Sequence, residues 1–258
     1  MPGWRGALAT AARLVRVYGA QDAAGMLVRK AALRLSRRKP ARTPDANREV
    51  WDAHDWSRGG EEWTPSPEWM AAILDEVLVP YVPAGCRALE IGPGAGRWTH
   101  RLLDRCASLV LVDVSPVCIA ICRERFGDDG RIAYHVNDGS SLSFLADGSV
   151  DAVWSFDAFV HIAPPEIAAY VGQFPRVLAP GGTAAIHHSA EGEMRKGWRS
   201  AMTTGAMREI AESSGLEVLE QRTTLRDGRM KVYAWPSDSH PDAITVLRRP
   251  MRGGPGPD

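Results

Sequence analysis

A doubly wound α/β fold, with a mostly parallel sheet covered by helices on both faces, is predicted for this 258-residue chain by three observations. Short apolar segments alternate with helical ones from Arg87 to Leu247. A glycine-rich turn, Ala88-Leu-Glu-Ile-Gly-Pro-Gly-Ala-Gly-Arg-Trp98, separates the first strand from the first helix of that series. An acid, Asp113, closes the second strand 21 residues after Gly92. Buried strands that read as apolar runs, joined by helical crossovers, are the pattern of a parallel sheet.

Taken in order, residues 5–38 contain no proline and are rich in Ala, Leu and Arg, which favours helix. Leu27, Ala31 and Leu35 share one stripe of that helix, and Lys30, Arg34 and Arg38 share its neighbour. Pro40 and Pro44 mark a linker. The stretch 47–64 carries Trp51, Trp56 and Trp63 around Gly59-Gly60 and reads as a short helix followed by an ordered loop. A helix starts near Pro65, with Ser66 as N-cap and Pro67 in its first turn, and runs to about Pro80. Seven strands are expected at 87–91, 109–113, 132–136, 150–155, 183–187, 216–224 and 243–247. Helices are expected at 96–106, 116–126, 164–178 and 204–214, and 230–235 reads as a further strand or an ordered insertion. The chain divides into a basic helical appendage and linker (1–45), a Trp-rich lid (46–80), the core (81–250) and a Gly/Pro-rich tail (251–258).

Composition narrows the function. Apolar residues at 45% and charged residues at 24% exclude whole-chain disorder. No apolar run reaches the roughly 18–20 residues that span a bilayer. Arg13 and Arg16 interrupt what would be the apolar part of a signal peptide. Cys86, Cys106, Cys118 and Cys122 do not form a disulfide framework, so a reduced, cytoplasmic protein is expected. Cys118 and Cys122, four apart, read as small buried helix residues rather than half of a zinc site. The net charge of zero conceals two opposed parts: residues 1–42 hold ten basic side chains and one acid, and the remainder holds 21 basic and 30 acidic.

The glycine turn needs positive φ or close backbone approach, which glycine permits. It places backbone N–H groups at the carboxyl end of the sheet, where doubly wound folds bind ligands. A dinucleotide fingerprint is disfavoured because Arg97 stands where G-x-G-x-x-G requires its third glycine. Glu90 would also repel a pyrophosphate, so a cationic or zwitterionic ligand suits the loop better. Asp113 is placed to grip ribose hydroxyls, and Asp138, with Asn137, to meet the amino group of an adenine.

These segments resemble class I S-adenosylmethionine-dependent methyltransferases over about residues 61–250. Glu90-Ile91-Gly92-Pro93-Gly94-Ala95-Gly96 is similar to the family's first motif, Leu111-Val112-Asp113 to its ribose-binding strand end, and Asn137-Asp138-Gly139 to its adenine-binding segment. Val150–Ser155 and Leu178-Ala-Pro-Gly-Gly182 stand where the family has its fourth strand and the turn before its fifth. The resemblance implies a Rossmann-like seven-stranded sheet and S-adenosyl-L-methionine as cofactor. It implies that Glu90 faces the amino end of the methionine moiety, that Gly92, Gly94 and Gly96 cradle it, and that Ser155 lies near it. Trp63 is the candidate to cover the cofactor.

Candidate catalytic groups follow the fourth and fifth strands. Asp157 and His161 are four apart, so one helical turn would put both on one face. His161 is the first candidate for general base, because its ordinary pKa lies near neutrality. His187 and His188 end the fifth strand, where neighbouring side chains point to opposite faces, so at most one enters the pocket. His187 is taken as catalytic; His188, Trp198 and Arg199 are taken as acceptor-binding. Metal dependence is not expected. Ser155-Phe156-Asp157 departs from the Asn/Asp-Pro-Pro-Tyr/Phe motif of many amino-methyltransferases, and the core is acidic, which together disfavour nucleic acid. The expected acceptor is a sugar, glycan or other small-molecule hydroxyl, with lipid-linked glycans included. The alternatives are an N- or C-methyltransferase of a small metabolite and a catalytically silent cofactor-binding regulator. Residues 5–42 pair apolar and basic stripes, an arrangement that suits an anionic membrane surface and peripheral attachment at the inner membrane face.

Overall fold

The computed structural model describes residues 4–36, 43–192, 199–232 and 241–251. The expected linker at 37–42, the tail from 252 and Trp198 lie outside the described residues.

Seven strands form one sheet in the order β3-β2-β1-β4-β5-β9-β6. They are β1 (Arg87–Ile91), β2 (Ser108–Asp113), β3 (Ile132–Val136), β4 (Val150–Ser155), β5 (Leu178–Ser189), β6 (Glu217–Arg222) and β9 (Asp242–Arg248). Strands β1 to β5 pair in parallel, while β9 inserts antiparallel between β5 and β6. The order reverses between β1 and β4, which opens a crevice at the carboxyl ends of those strands. A separate two-stranded ribbon, β7 (Thr224–Leu225) with β8 (Met230–Lys231), occupies part of the expected insertion.

Alternation along each strand sends successive side chains into two apolar layers. Ala88, Trp154 and Ala185 enter one layer with Trp69, Trp98 and Phe156. Leu89, Ile91, Val153 and Ile186 enter the other with Phe159, Tyr170 and Phe174. The first layer is covered by α4 (Pro67–Ile73), prolonged by a π turn (Leu74–Leu78) and α5 (Val79–Tyr81), together with α6 (Thr99–Leu103) and α7 (Pro116–Phe126). The second is covered by α8 (Pro164–Val171), α9 (Phe174–Val177) and α10 (Thr204–Ser213). The Ser66 cap forms as expected, its hydroxyl accepting the Trp69 N–H at 3.1 Å. Cys118 and Cys122 are buried on α7.

Four boundaries differ from expectation, the first being that β5 begins at Leu178 instead of 183 and takes in the residues read as the turn before it. The helix expected at 164–178 is two helices, broken after Gly172, because Pro175 cannot continue the hydrogen-bond ladder of the first. The helix expected at 96–106 shrinks to Thr99–Leu103, since the glycine turn extends through Trp98. The single N-terminal helix is a hairpin: α1 (Trp4–Tyr18) and α2 (Ala20–Ser36) meet at Gly19, whose φ of +85° a side chain would resist.

That hairpin is part of the folded body. Leu14, Ala23 and Met26 pack with Val117, Cys118 and Ile121 of α7, and with Trp56 and Ala95. At its turn the Tyr18 hydroxyl donates to Asp52 Oδ2 at 2.5 Å, and Ser115 donates to Asp52 Oδ1 at 2.6 Å. Asp52 closes α3 (Pro44–Asp52) and is fully buried. Arg13 and Arg16 both pair with Glu124 of α7, so part of the basic charge is answered inside the protein.

Candidate functional site

The glycine turn carries φ values of +73° at Gly92, +57° at Gly94 and +86° at Gly96. A Cβ at Gly92 would stand 2.4 Å from Ala158 Cβ, and one at Gly94 would stand 2.8 Å from the Trp56 ring. The loop is therefore lined by the end of β4 on one side and by the lid on the other. Asp113 accepts the Gly94 N–H at 3.3 Å and the Ser115 N–H at 2.9 Å. Burial, and then the nearby Asp52 charge, push its carboxyl up to about 6 against those backbone donors.

Glu90 lies beneath the loop. Its Oε2 accepts from Thr99 Oγ1 at 2.7 Å, and burial raises its carboxyl to about 8. Its contact is thus with the first turn of α6, and it supports the loop from below. Ser155 is also inside, donating to the Ile91 carbonyl at 2.8 Å and so holding β4 to the start of the glycine turn. Asn137 donates to Ser141 O and to the Tyr170 hydroxyl, both at 2.8 Å, and braces the β3 loop. Asp138 is exposed, and its Oδ1 accepts the Ser140 and Ser141 N–H groups, which lowers its pKa against a small burial cost.

The lid is a cluster of half-buried rings. Trp63 stacks on His54 with centroids 5.0 Å apart, and Trp51 meets His161 edge-on at 5.1 Å. Pro44 sits over Gly139, where a Cβ would come within 2.8 Å of it.

The catalytic candidates separate. Asp157 has a left-handed backbone (φ +62°) and precedes a short 3₁₀ turn, Phe159–His161, so no helical turn joins it to His161. The side chains diverge accordingly: His161 goes to the lid, while Asp157 goes into a buried chain of charges. Asp157 pairs with Arg97 of the glycine turn, and its Oδ1 lies 3.1 Å from His187 Nδ1. His187 Nε2 lies 3.2 Å from Asp242 Oδ2, which lies 2.8 Å from Arg199 Nη1. Burial alone would raise the Asp157 carboxyl, but the Arg97 charge and the His187 contact hold it well below the usual range. The two carboxylates outweigh burial at His187 and raise its pKa.

His188 and Arg199 are both engaged within the protein. His188 points to the opposite side of β5, as strand alternation requires, and both ring nitrogens are engaged at 2.7 Å, by Ser189 O and Thr245 Oγ1. Burial lowers its pKa to about 4. Arg199 is 8% exposed and its charge is committed to Asp242. Among the described residues no group of three His, Cys, Asp or Glu is placed to hold a metal ion.

Arg97, Asp242, Asp52 and Thr99 are site residues that the motif reading did not assign. Arg97 was visible as the residue displacing a glycine; Asp242 had no local signal, since only the pairing of Ser189 with Asp242 brings it to His187.

A sheet reversing between β1 and β4, a glycine turn over that reversal and a buried acid ending β2 define a Rossmann-like fold. Residues 88–182 match the model of a methyltransferase domain. Over that segment the chain is similar to class I S-adenosylmethionine-dependent methyltransferases, enzymes whose cofactor is S-adenosyl-L-methionine. It is similar to magnesium-protoporphyrin O-methyltransferase of Rhodobacter capsulatus, 34% identical over 85 residues, or 32% of this chain and 37% of that one. It is also similar to ubiquinone biosynthesis O-methyltransferase of Xanthomonas axonopodis pv. citri, 28% identical over 115 residues, or 42% of this chain and 47% of that one. The chain thus spans less than half the length of both relatives. In fold it is similar to a chain in the complex of the Haloferax volcanii Trm112 methyltransferase activator with a methyltransferase. That likeness has a TM-score of 0.60 and 23% identity, and covers 80% of this chain and 99% of the other.

Proposed function

We propose that the protein transfers a methyl group from S-adenosylmethionine to a hydroxyl of a small molecule, with sugars and glycans, free or lipid-linked, as the favoured acceptors. The observation that carries this reading is the Asp157–His187 pair, a carboxylate backed by a buried imidazole at the end of β4, one residue from the wall of the glycine turn. Two similar proteins named O-methyltransferases support the same choice.

The residues present fit the cofactor. Asp113 suits ribose hydroxyls, and Asp138 Oδ2 suits the adenine amino group. Arg97 Nη1 is buried without a hydrogen-bond partner among the described residues, which suits a carboxylate. S-Adenosylmethionine supplies an electrophilic methyl group at a sulfonium centre. Asp157, whose side chain keeps 17% of its surface exposed, accepts a hydrogen bond from the acceptor hydroxyl and aligns its oxygen. When the oxygen takes up the methyl group, the S–C bond of the sulfonium would break to leave a neutral thioether, and the hydroxyl proton would pass to Asp157 and on to His187 Nδ1, 3.1 Å away. The His187 imidazolium then stands between two carboxylates. His161 and Trp51 wall the lid side of the acceptor space, so His161 serves alignment more than proton transfer.

Calorimetry with S-adenosylmethionine tests the first part: Asp113→Ala weakens binding tenfold or more, and equal binding by the variant defeats the assignment. Turnover with dTDP-rhamnose, methyl α-mannoside and catechol tests the second. Asp157→Asn lowers kcat by about 10²–10⁴, whereas His161→Ala acts mainly on KM. Methylation confined to amine or carbon acceptors overturns the hydroxyl assignment.

A second reading concerns residues 5–42. Leu8, Val15 and Val28 remain 60%, 46% and 68% exposed on the hairpin while its other face packs on α7. We infer that this face rests on an anionic bilayer, each nearby basic residue contributing about 1 kcal/mol. No described helix is long and apolar enough to cross a membrane. Full-length protein is expected to float with phosphatidylglycerol liposomes, and a Leu8→Glu, Val15→Glu, Val28→Glu variant to remain below; equal flotation defeats the inference.

A further inference from the structure

Asp242 opens β9 and is 2% exposed, paired across the sheet with Ser189 of β5. Its Oδ2 lies at ion-pair distance from two groups at once, Arg199 Nη1 at 2.8 Å and His187 Nε2 at 3.2 Å, the latter without the alignment of a hydrogen bond, so its charge rather than a bond acts on the ring. The His187 ring is fully buried and lies nearly flat on Phe156, with centroids 4.2 Å apart and planes 19° off parallel. This leaves the ring its two edges for bonding. The far edge presents Nδ1, which lies 3.1 Å from the backbone N of Asp157 and 3.1 Å from its carboxylate Oδ1.

Tautomer logic connects the two edges. To accept the Asp157 N–H, Nδ1 must be unprotonated, so the neutral ring carries its proton on Nε2, the atom that faces Asp242. When a second proton arrives, Nδ1–H turns to donate to Asp157 Oδ1. We propose that Asp242 is a positioning residue: its carboxylate holds the His187 tautomer that keeps Nδ1 directed at Asp157. The same contact supports the left-handed Asp157 backbone, a conformation that persists only where the surroundings impose it. Arg199, held by the same carboxylate oxygen, ties the segment after β5 to this arrangement, and Ser200 N–H reinforces the tie by donating to Val160 O at 2.6 Å.

The charged groups around His187 are Arg97, Asp157, Asp242 and Arg199, with His188 next in sequence but kept neutral by burial. Two guanidiniums offset two carboxylates, and the imidazole between them is raised in pKa by the carboxylates it touches. Its catalytic consequence rests on the hydroxyl-transfer reading above; its tautomer does not.

The test is long-range ¹H–¹⁵N spectroscopy of the histidine rings in full-length, ¹⁵N-labelled protein across pH. The expected wild-type spectrum shows neutral His187 protonated at Nε2. In Asp242→Asn its titration midpoint falls by at least one pH unit, and Asp242→Glu restores it. Should the Asn variant not fold, Arg199→Leu leaves Asp242 facing His187 alone and raises the midpoint. A wild-type ring protonated at Nδ1, or a midpoint unmoved in the variant that folds, overturns the inference. The acid limb of the pH–rate profile, taken with whichever of the three acceptors above turns over, shifts down with the spectroscopic midpoint in Asp242→Asn. A midpoint that moves without the acid limb supports the positioning of the ring and removes His187 from the proton path.

Discussion

Replacing Gly92 by valine is expected to raise the dissociation constant for S-adenosylmethionine at least 100-fold. Two costs act together. The backbone at Gly92 has φ +73°, where a β-branched residue is strained by about 1–3 kcal/mol. Its Cβ would also stand 2.4 Å from Ala158 Cβ, and overpacking of this kind costs about 1–3 kcal/mol. Ala158 follows Asp157, so relief of the clash displaces the turn that Arg97 and His187 hold in place. Tenfold in affinity corresponds to about 1.4 kcal/mol, so a 100-fold loss corresponds to about 2.8 kcal/mol, the part of this cost that the turn sheds by leaving its ligand-binding shape. Gly85→Ala is the control. Gly85 has the same φ of +73° with nothing within 4 Å of its added Cβ, so it bears backbone strain without a clash. Thermal unfolding should show both variants destabilised, and calorimetry should show only Gly92→Val losing the cofactor. Binding within threefold of wild type in Gly92→Val would show that the turn is not where the ligand sits.

Glu90→Gln is expected to stabilise the protein at alkaline pH and to do little at acid pH. The folded carboxyl holds its proton up to about 8, because the site is fully buried, whereas the unfolded chain releases it near the ordinary value of 4.5. Between those values the folded state binds more protons, so this group's contribution to stability declines as pH rises and stays low above 8. Glutamine does not ionise, keeps an oxygen for the Thr99 hydroxyl and removes the decline. The gain over wild type therefore grows through that window to the order of 2–4 kcal/mol. Asp113, with its carboxyl raised to about 6, adds a similar decline at lower pH, but equally in both proteins. Urea unfolding at pH 5 and pH 8.5 reads the difference, and parallel losses in the two proteins would refute a buried ionising Glu90.

The parts of this protein legible in its sequence are those governed by neighbours along the chain. The glycine turn, the acid ending β2, the Ser66 cap and most core strands appear where short-range pattern put them. The helix break at Gly172 and the hairpin at Gly19 have local signals in Pro175 and Gly19, but the surrounding helical periodicity masks both. The pairing of Asp157 with His161 failed for a different reason: spacing of four implies a shared face only on a helix, and Asp157 lies in a left-handed turn.

The residues proposed for the adenosine side, Asp113 and Asp138, follow strands, and strand ends in a parallel sheet gather at one edge whatever the rest of the fold does. The charge chain Arg97–Asp157–His187–Asp242–Arg199 draws on five separate segments. Its contacts exist because β9 runs antiparallel beside β5 in one particular register, and a slip of one residue would turn Asp242 to the other face. Local pattern thus determined the glycine turn, the acid ending β2 and the order of the elements around them. Strand register and packing decided which histidine meets a carboxylate, that Arg199 is bound internally, and that the basic N-terminal segment folds back onto α7.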